Sequence, residues 1–305
     1  MRLIRFRSVD QDEPRVGVLD ENTPAGEDGA APGTVTTLAG SPALADLLAL
    51  PVDQLREVLT HPGGEQIPLG GLQLLAPVDG RTEVWAAGVT YERSRDARID
   101  ESEESADAYD RVYTAERPEL FFKSVSWRVR GPGRAVSVRA DSSIDVPEPE
   151  LAAVLNYAGE VAGYTICNDM SSRSIEGENP LYLPQAKVYL GGCAVGPWIR
   201  PAWEIADPYD LAMALTITRD GQVAWQGESS TSGLRRRIPE LAGYLFREDD
   251  FPAGAILSTG TSLVPDLPFT LQAADHITIR ISGIGELSNP VVRGKSALTG
   301  AAPAQ

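Results

Sequence analysis

Three carboxylates carry the first chemical signal in the sequence. Glu148 and Glu150 lie two residues apart in Asp145-Val-Pro-Glu-Pro-Glu-Leu-Ala-Ala-Val-Leu155, at the mouth of an apolar run that reads as a buried strand. Residues i and i+2 of a strand share a face, so both side chains look the same way. Like charges so placed repel unless one is protonated, a cation lies between them, or the strand end is solvated. The run ends near Asn156, Tyr157-Ala-Gly-Glu160 reads as a turn, and Val161-Ala-Gly-Tyr-Thr-Ile-Cys-Asn-Asp169 follows as a second strand. An antiparallel hairpin centred between Ala158 and Gly159 sets Glu148 opposite Asp169 and Glu150 opposite Cys167. Three carboxylates then converge at one end of the hairpin, a cluster that is hard to keep ionised without a cation. Oxygen ligands without histidine or thiolate suit Mg²⁺, with Mn²⁺ or Ca²⁺ as the other candidates.

The other reactive side chains offer little competing chemistry. Cys167 and Cys193 are too few for a disulfide framework or a cysteine-rich zinc site, and their apolar and glycine neighbours mark them as buried structural thiols. His61 lies in the loop-like His-Pro-Gly-Gly and His276 opens a strand, so neither has a companion for a triad or a zinc site. The glycines at 191, 192 and 196 lack the dinucleotide spacing, and Ser229-Ser-Thr-Ser-Gly233 is not a nucleophile elbow.

The elements that must position the carboxylates are mainly strands. Arg2 to Arg7 and Arg15 to Leu19 read as two short strands, and the leucines at 44, 47, 48, 55 and 59 recur at helical spacing over two short helices. Gly63-Gly64 and Gly70-Gly71 close this unit, which predicts a small N-terminal α+β domain over residues 1–77. From Val84 onward strand follows strand: 84–89, 151–155, 162–166, 276–281, and a hairpin joining 211–218 to 222–225 through Asp220-Gly221. Helical pattern is confined to about 92–112 and to Ile238–Phe246, so residues 78–300 read as a β-rich α+β domain. The acidic stretch Glu92–Asp110 reads either as a solvated helix or as a lid over a site.

Composition sets the outer bounds. With 305 residues, 42% of them hydrophobic, the chain has material for a large core. A formal net charge of −16 argues against nucleic acid and acidic membranes as partners, because phosphate binding needs a basic patch. No apolar run reaches membrane-spanning length and the first residues lack a signal-peptide core, which predicts a cytoplasmic protein without a membrane partner.

Five stretches together resemble a known superfamily: Pro147-Glu-Pro-Glu-Leu-Ala-Ala-Val-Leu155, Gly163-Tyr-Thr-Ile-Cys-Asn-Asp-Met-Ser-Ser-Arg173, Gly196-Pro-Trp198, Ser258-Thr-Gly-Thr261 and Gly283-Ile-Gly-Glu-Leu-Ser-Asn-Pro290. Their order is that of the fumarylacetoacetate hydrolase superfamily, and the likeness runs from about Leu75 to Val292. The resemblance implies a β-roll catalytic fold, a divalent metal on Glu148, Glu150 and Asp169, a 2-oxo acid substrate chelating that metal, and a homodimer or homotetramer.

The branch follows from a substitution. C–C bond hydrolases of the superfamily carry a water-activating histidine in Gly-x-Asn-Tyr-x-x-His, whereas this chain reads Gly88-Val-Thr-Tyr-Glu-Arg-Ser94. Arg117-Pro-Glu-Leu-Phe-Phe-Lys123 and Glu176-Gly-Glu-Asn-Pro-Leu-Tyr-Leu-Pro-Gln-Ala-Lys187 instead resemble the 2-keto-3-deoxy-D-arabinonate dehydratase branch. That likeness implies a Mg²⁺-dependent hydro-lyase forming 2,5-dioxopentanoate, with Lys187 as base and Glu119 as acid. It also implies substrate contacts from Lys123, Arg173, Gln185 and Thr261. Spacing alone reads Lys187 as a surface lysine on a strand and Glu119 as an exposed salt-bridge partner. Lys123 and Arg173 either hold a substrate carboxylate or pair with the acidic cluster, and turn chemistry accounts for Thr261 nearly as well. Ser174 departs from the aspartate common after Ser-x-Arg, which bears on the support around Arg173. Two other functions fit the cluster: a hydrolase or decarboxylase of a 2,4-dioxo acid, of acylpyruvate type, and a metal-binding scaffold without turnover.

Overall fold

The hairpin expected from the carboxylate spacing forms at the centre of the fold. In the computed structural model, which describes residues 1–8, 11–20, 33–93 and 111–299, β10 (Pro149–Leu155) and β11 (Val161–Asp169) pair antiparallel. Glu150 stands opposite Cys167 and Val154 opposite Gly163, as the turn position predicts. The register slips by one residue at Leu155, which pairs with Val161. Asn156 builds the turn: its side-chain carbonyl accepts the N–H groups of Ala158 (3.1 Å) and Glu160 (2.9 Å), an Asx-type substitute for backbone pairing.

Every residue of β10 is buried, because both faces of the strand are covered. Leu151, Ala153 and Leu155 pack into a core shared with a five-stranded sheet, ordered β15 (Gln222–Ser230), β14 (Ala212–Arg219), β17 (His276–Ile281), β18 (Gly285–Arg293), β8 (Val136–Val138). Ala152 and Val154 face a second core that includes Leu44, Leu47, Leu48, Leu55 and Leu59 from the helices Leu44–Leu48 and Val52–Thr60. Each fully buried leucine or isoleucine there contributes about 1.5–3 kcal/mol. The predicted Asp220-Gly221 hairpin joins β14 to β15, with both turn residues at positive φ (51° and 75°), the signature of a type I′ turn.

The main sheet has eleven strands. Beyond the central hairpin, β10 pairs with β16 (Ala255–Ser258), which runs parallel to β6 (Glu83–Gly88), and β6 pairs with β7 (Glu119–Val125). On the other side β11 pairs with β13 (Cys193–Pro201), and Leu3 of β1 (Arg2–Ser8) meets Ile199 of β13. Through this contact the first strands continue the same sheet: β2 (Gln11–Asp20), β3 (Thr34–Leu38) and β4 (Gly63–Pro68) lie beyond β1, and β5 (Leu72–Leu75) also pairs with it. Gly63-Gly64 therefore opens a strand rather than closing the unit. The segment 94–110, with most of the stretch read as a lid and with Ser94, lies outside the described residues. Among those described, no helix is long and apolar enough to cross a membrane.

Candidate active site

The hairpin register delivers Glu148, Glu150 and Asp169 to one point. Each is buried, and each offers a carboxylate oxygen within 4.8 Å of the others. The Asp169 N–H donates to the Glu148 carbonyl (2.9 Å), which holds the two strand ends in register. Ser258 Oγ (2.5 Å) and the Gly260 N–H (2.8 Å), at the end of β16, both donate to Glu150 Oε2. Burial, then the charges of Asp169 and Glu148, raise the Glu150 pKa well above the usual carboxylate range. That electrostatic excess, on an all-oxygen donor set, fits a hard divalent cation.

Three cationic side chains surround the cluster. Lys187 is buried and closes the helix Leu183–Lys187, so the strand and surface position read from spacing is corrected. A five-residue helix with Pro184 in its first turn carries no period for a sequence pattern to show. Lys187 Nζ donates to Glu148 Oε2 (2.7 Å), Asp169 Oδ2 (3.1 Å) and Ser171 Oγ (2.6 Å), using the three protons of an ammonium. Lys123, on β7, pairs with Asp169 Oδ1 and donates to the carbonyls of Met170 (2.9 Å) and Lys187 (2.5 Å). Arg173 Nη2 donates to Glu148 Oε1 (2.8 Å) from the first turn of the helix Arg173–Glu178. Both side chains pair with the acidic cluster in this structure. Ser174, the residue after Arg173, bonds to Ser142 Oγ (3.0 Å) and accepts the Ser143 N–H (3.2 Å).

The cluster forms the floor of a cleft lined also by Glu119, Phe121, Glu176, Leu183 and Thr261. Glu119 enters from β7 opposite Gly88 of β6, and a Cβ at position 88 would lie 2.0 Å from Glu119 Oε2. Glycine there is what lets the carboxylate lie across the neighbouring strand. Thr261 Oγ1 accepts the Leu263 N–H (3.1 Å), a turn contact, while its residue lines the cleft. Gln185 is exposed and is not part of the lining; its carbonyl accepts from Arg139 (3.0 Å). Sequence reasoning passed over Glu176, Ser171 and Ser258. Glu176 follows Arg173 by three residues on one helix face, a spacing visible in the chain. The two serines acquire meaning only through contacts distant in sequence.

The comparisons with known proteins agree with this geometry. The family model described as fumarylacetoacetate (FAA) hydrolase C-terminal matches residues 83–292. A probable 2-keto-3-deoxyxylonate dehydratase of Haloferax volcanii is 53% identical over 215 residues, covering 70% of this chain and 73% of the relative. The 2-dehydro-3-deoxy-D-arabinonate dehydratase of Saccharolobus solfataricus is 44% identical over 226 residues, covering 73% of this chain and 76% of the relative. Among solved structures, a 2-keto-3-deoxy-D-arabinonate dehydratase complexed with magnesium and 2,5-dioxopentanoate superposes with a TM-score of 0.79 at 35% identity, over 96% of this chain and 99% of that one. With the match spanning the hairpin, the cleft and the five-stranded sheet, the chain belongs to the fumarylacetoacetate hydrolase family.

Proposed function

We propose that the protein is a Mg²⁺-dependent hydro-lyase acting on a 2-keto-3-deoxy pentonate and releasing 2,5-dioxopentanoate. The names of the two relatives support a single substrate. Oxidation at C2 and deoxygenation at C3 erase the centres that distinguish D-xylonate from D-arabinonate, so in the D series both names denote one molecule. The observation that carries the reading is the sharing of Glu148 and Asp169 by Lys187 Nζ, at 2.7 and 3.1 Å, in a cleft that also holds Glu119.

Glu148, Glu150 and Asp169 would hold the ion. When bound, it supplies Lewis-acid polarisation of the 2-keto group and a positive charge beside Lys187 that favours the neutral amine. Lys187 takes a proton from C3, which the adjacent ketone makes acidic. Glu119, protonated, delivers its proton to the C4 hydroxyl as the C4–O bond breaks and water leaves. The remaining 5-hydroxy-3-ene 2-oxo acid has the composition of the product; moving one proton from C5 to C3 and then the enol proton to C4 yields the aldehyde. Phe121 and Leu183 give the cleft apolar wall on which the sugar carbons can rest. Lys123 and Arg173 fix Asp169 and Glu148 in their ligating orientations. No histidine lines the cleft among the described residues, which disfavours the hydrolytic alternative.

Two coarser features belong to the same reading. A homodimer or homotetramer is part of it. A cytoplasmic location suits an intermediate of sugar-acid oxidation. Proton NMR tests the function: incubation of the protein with the 2-keto-3-deoxy pentonate and Mg²⁺ should produce an aldehyde resonance, abolished by EDTA and restored by excess Mg²⁺. Pyruvate or CO₂ from a 2,4-dioxo acid in its place, or turnover indifferent to EDTA, overturns the reading.

A further inference from the structure

A second cavity, of about 490 Å³, lies between β1, β5 and the loop that precedes β8 and shares no lining residue with the acidic cleft. Arg5 and Arg7 reach it from one face of β1; Arg130 and Arg134 reach it from the loop. Four arginines thus line one cavity in a chain whose net charge is −16. The single carboxylate in the lining, Asp79, pairs with Arg5 Nε at 3.3 Å and so offsets one of the four charges. It also accepts the N–H groups of Leu44 (3.1 Å) and Ala45 (2.8 Å) at a helix start. Arg7 pairs outward with the exposed Asp12 (3.1 Å), and Arg130 and Arg134 form no ion pair among the described residues.

The framework is built rather than incidental. The Arg130 N–H donates to the Cys193 carbonyl (2.9 Å), and the Val195 N–H donates to the Arg130 carbonyl (2.9 Å). Asn289 Nδ2 donates to the carbonyls of Gly131 (3.0 Å) and Arg134 (2.8 Å), pinning both sides of the turn between the two arginines. Burial and the charge of Arg134 lower the Arg130 pKa, and burial with the charge of Arg7 works in the same direction on Arg5, against Asp79. Guanidinium groups held close together by a fixed backbone gain from an anion between them. The cavity's volume falls in the range of small-molecule sites, and Trp127 stands in its lining with 74% of its surface exposed.

We infer that this cavity is a binding site for a small polyanion, an organic phosphate or a polycarboxylate, separate from the site of dehydration. Two or more negative charges are needed to engage guanidinium groups arriving from both β1 and the loop. Isothermal titration of the intact protein with inorganic pyrophosphate and with citrate, at 0.1 M salt without added divalent ions, provides the test. Saturation with a Kd of roughly 1 mM or tighter is expected for at least one of them, and the tighter anion assigns phosphate or carboxylate as the preferred group. The Arg130→Gln/Arg134→Gln variant should lose at least about tenfold in affinity, while Arg130→Lys/Arg134→Lys recovers most of it through retained charge. Dehydration should proceed unchanged in both variants. No saturation by 10 mM, or equal affinity in the glutamine variant, overturns the inference. So does a fall in oligomeric mass of the glutamine variant without anion, since the arginines would then hold a second copy of the chain.

Discussion

The residue that most sharply divides structure from chemistry is Lys187. Its ammonium bridges the carboxylates that would hold the ion, so it is at once a counter-charge and the nearest candidate base. The two roles predict different C3 chemistry on truncation. If Lys187 only balances charge, Lys187→Ala leaves more negative potential and should alter ion affinity while the C3 chemistry persists. As the base, its loss should leave Mg²⁺ binding equal or tighter by calorimetry, because a competing cation has gone. Turnover should fall by about 10²–10⁴, and exchange of the C3 protons with D₂O, followed by NMR, should vanish. Exchange at the wild-type rate in this variant removes lysine from the mechanism. Lys123 and Arg173 each pair with one carboxylate of the cluster, whereas Lys187 bridges two.

At the scale of elements, the site is the consequence of one hairpin. The pairing of Glu150 with Cys167 was legible because a tight turn fixes register locally, and side chains committed alternately to two different cores leave little freedom to slip. The parallel contact of β16 with β6, which brings Ser258 and Gly260 to Glu150, was not legible, because partners separated by so much chain leave no local mark. The short helices around Glu176 and Lys187 are likewise below the length at which hydrophobic period appears. Asn156 tests whether the turn or the strands hold the register. Fully buried, it accepts two backbone N–H groups and donates to the Leu50 carbonyl (3.0 Å) and Glu160 Oε2 (2.7 Å). Asn156→Ala should cost about 2–4 kcal/mol in denaturant unfolding, since it leaves buried polar groups without partners. The carboxylate cluster lies at the opposite end of a ladder of seven paired positions, so Mg²⁺ affinity in the folded variant should stay within about threefold of wild type. A collapse of affinity together with stability shows that the turn, not the ladder, sets the carboxylate geometry.

The whole molecule poses an electrostatic question, because an anionic substrate must approach a protein carrying a net charge of −16. Within the cleft the charges nearly cancel: Glu119, Glu148, Glu150, Asp169 and Glu176 face Lys123, Arg173, Lys187 and the proposed dication. The sign of the long-range force is then left to the remote charge, which repels. Its reach is set by ionic strength, with a screening length of about 30 Å at 0.01 M and about 8 Å at 0.15 M. Raising KCl between these values with Mg²⁺ saturating should therefore increase kcat/KM for the pentonate by roughly two- to fivefold. The chemical step, which depends on contacts inside a screening length, should leave kcat unchanged. A decrease of kcat/KM with salt would instead mean that the ion and the three buried cations project a net positive field to the cleft mouth, strong enough to outweigh the charge of the rest of the chain.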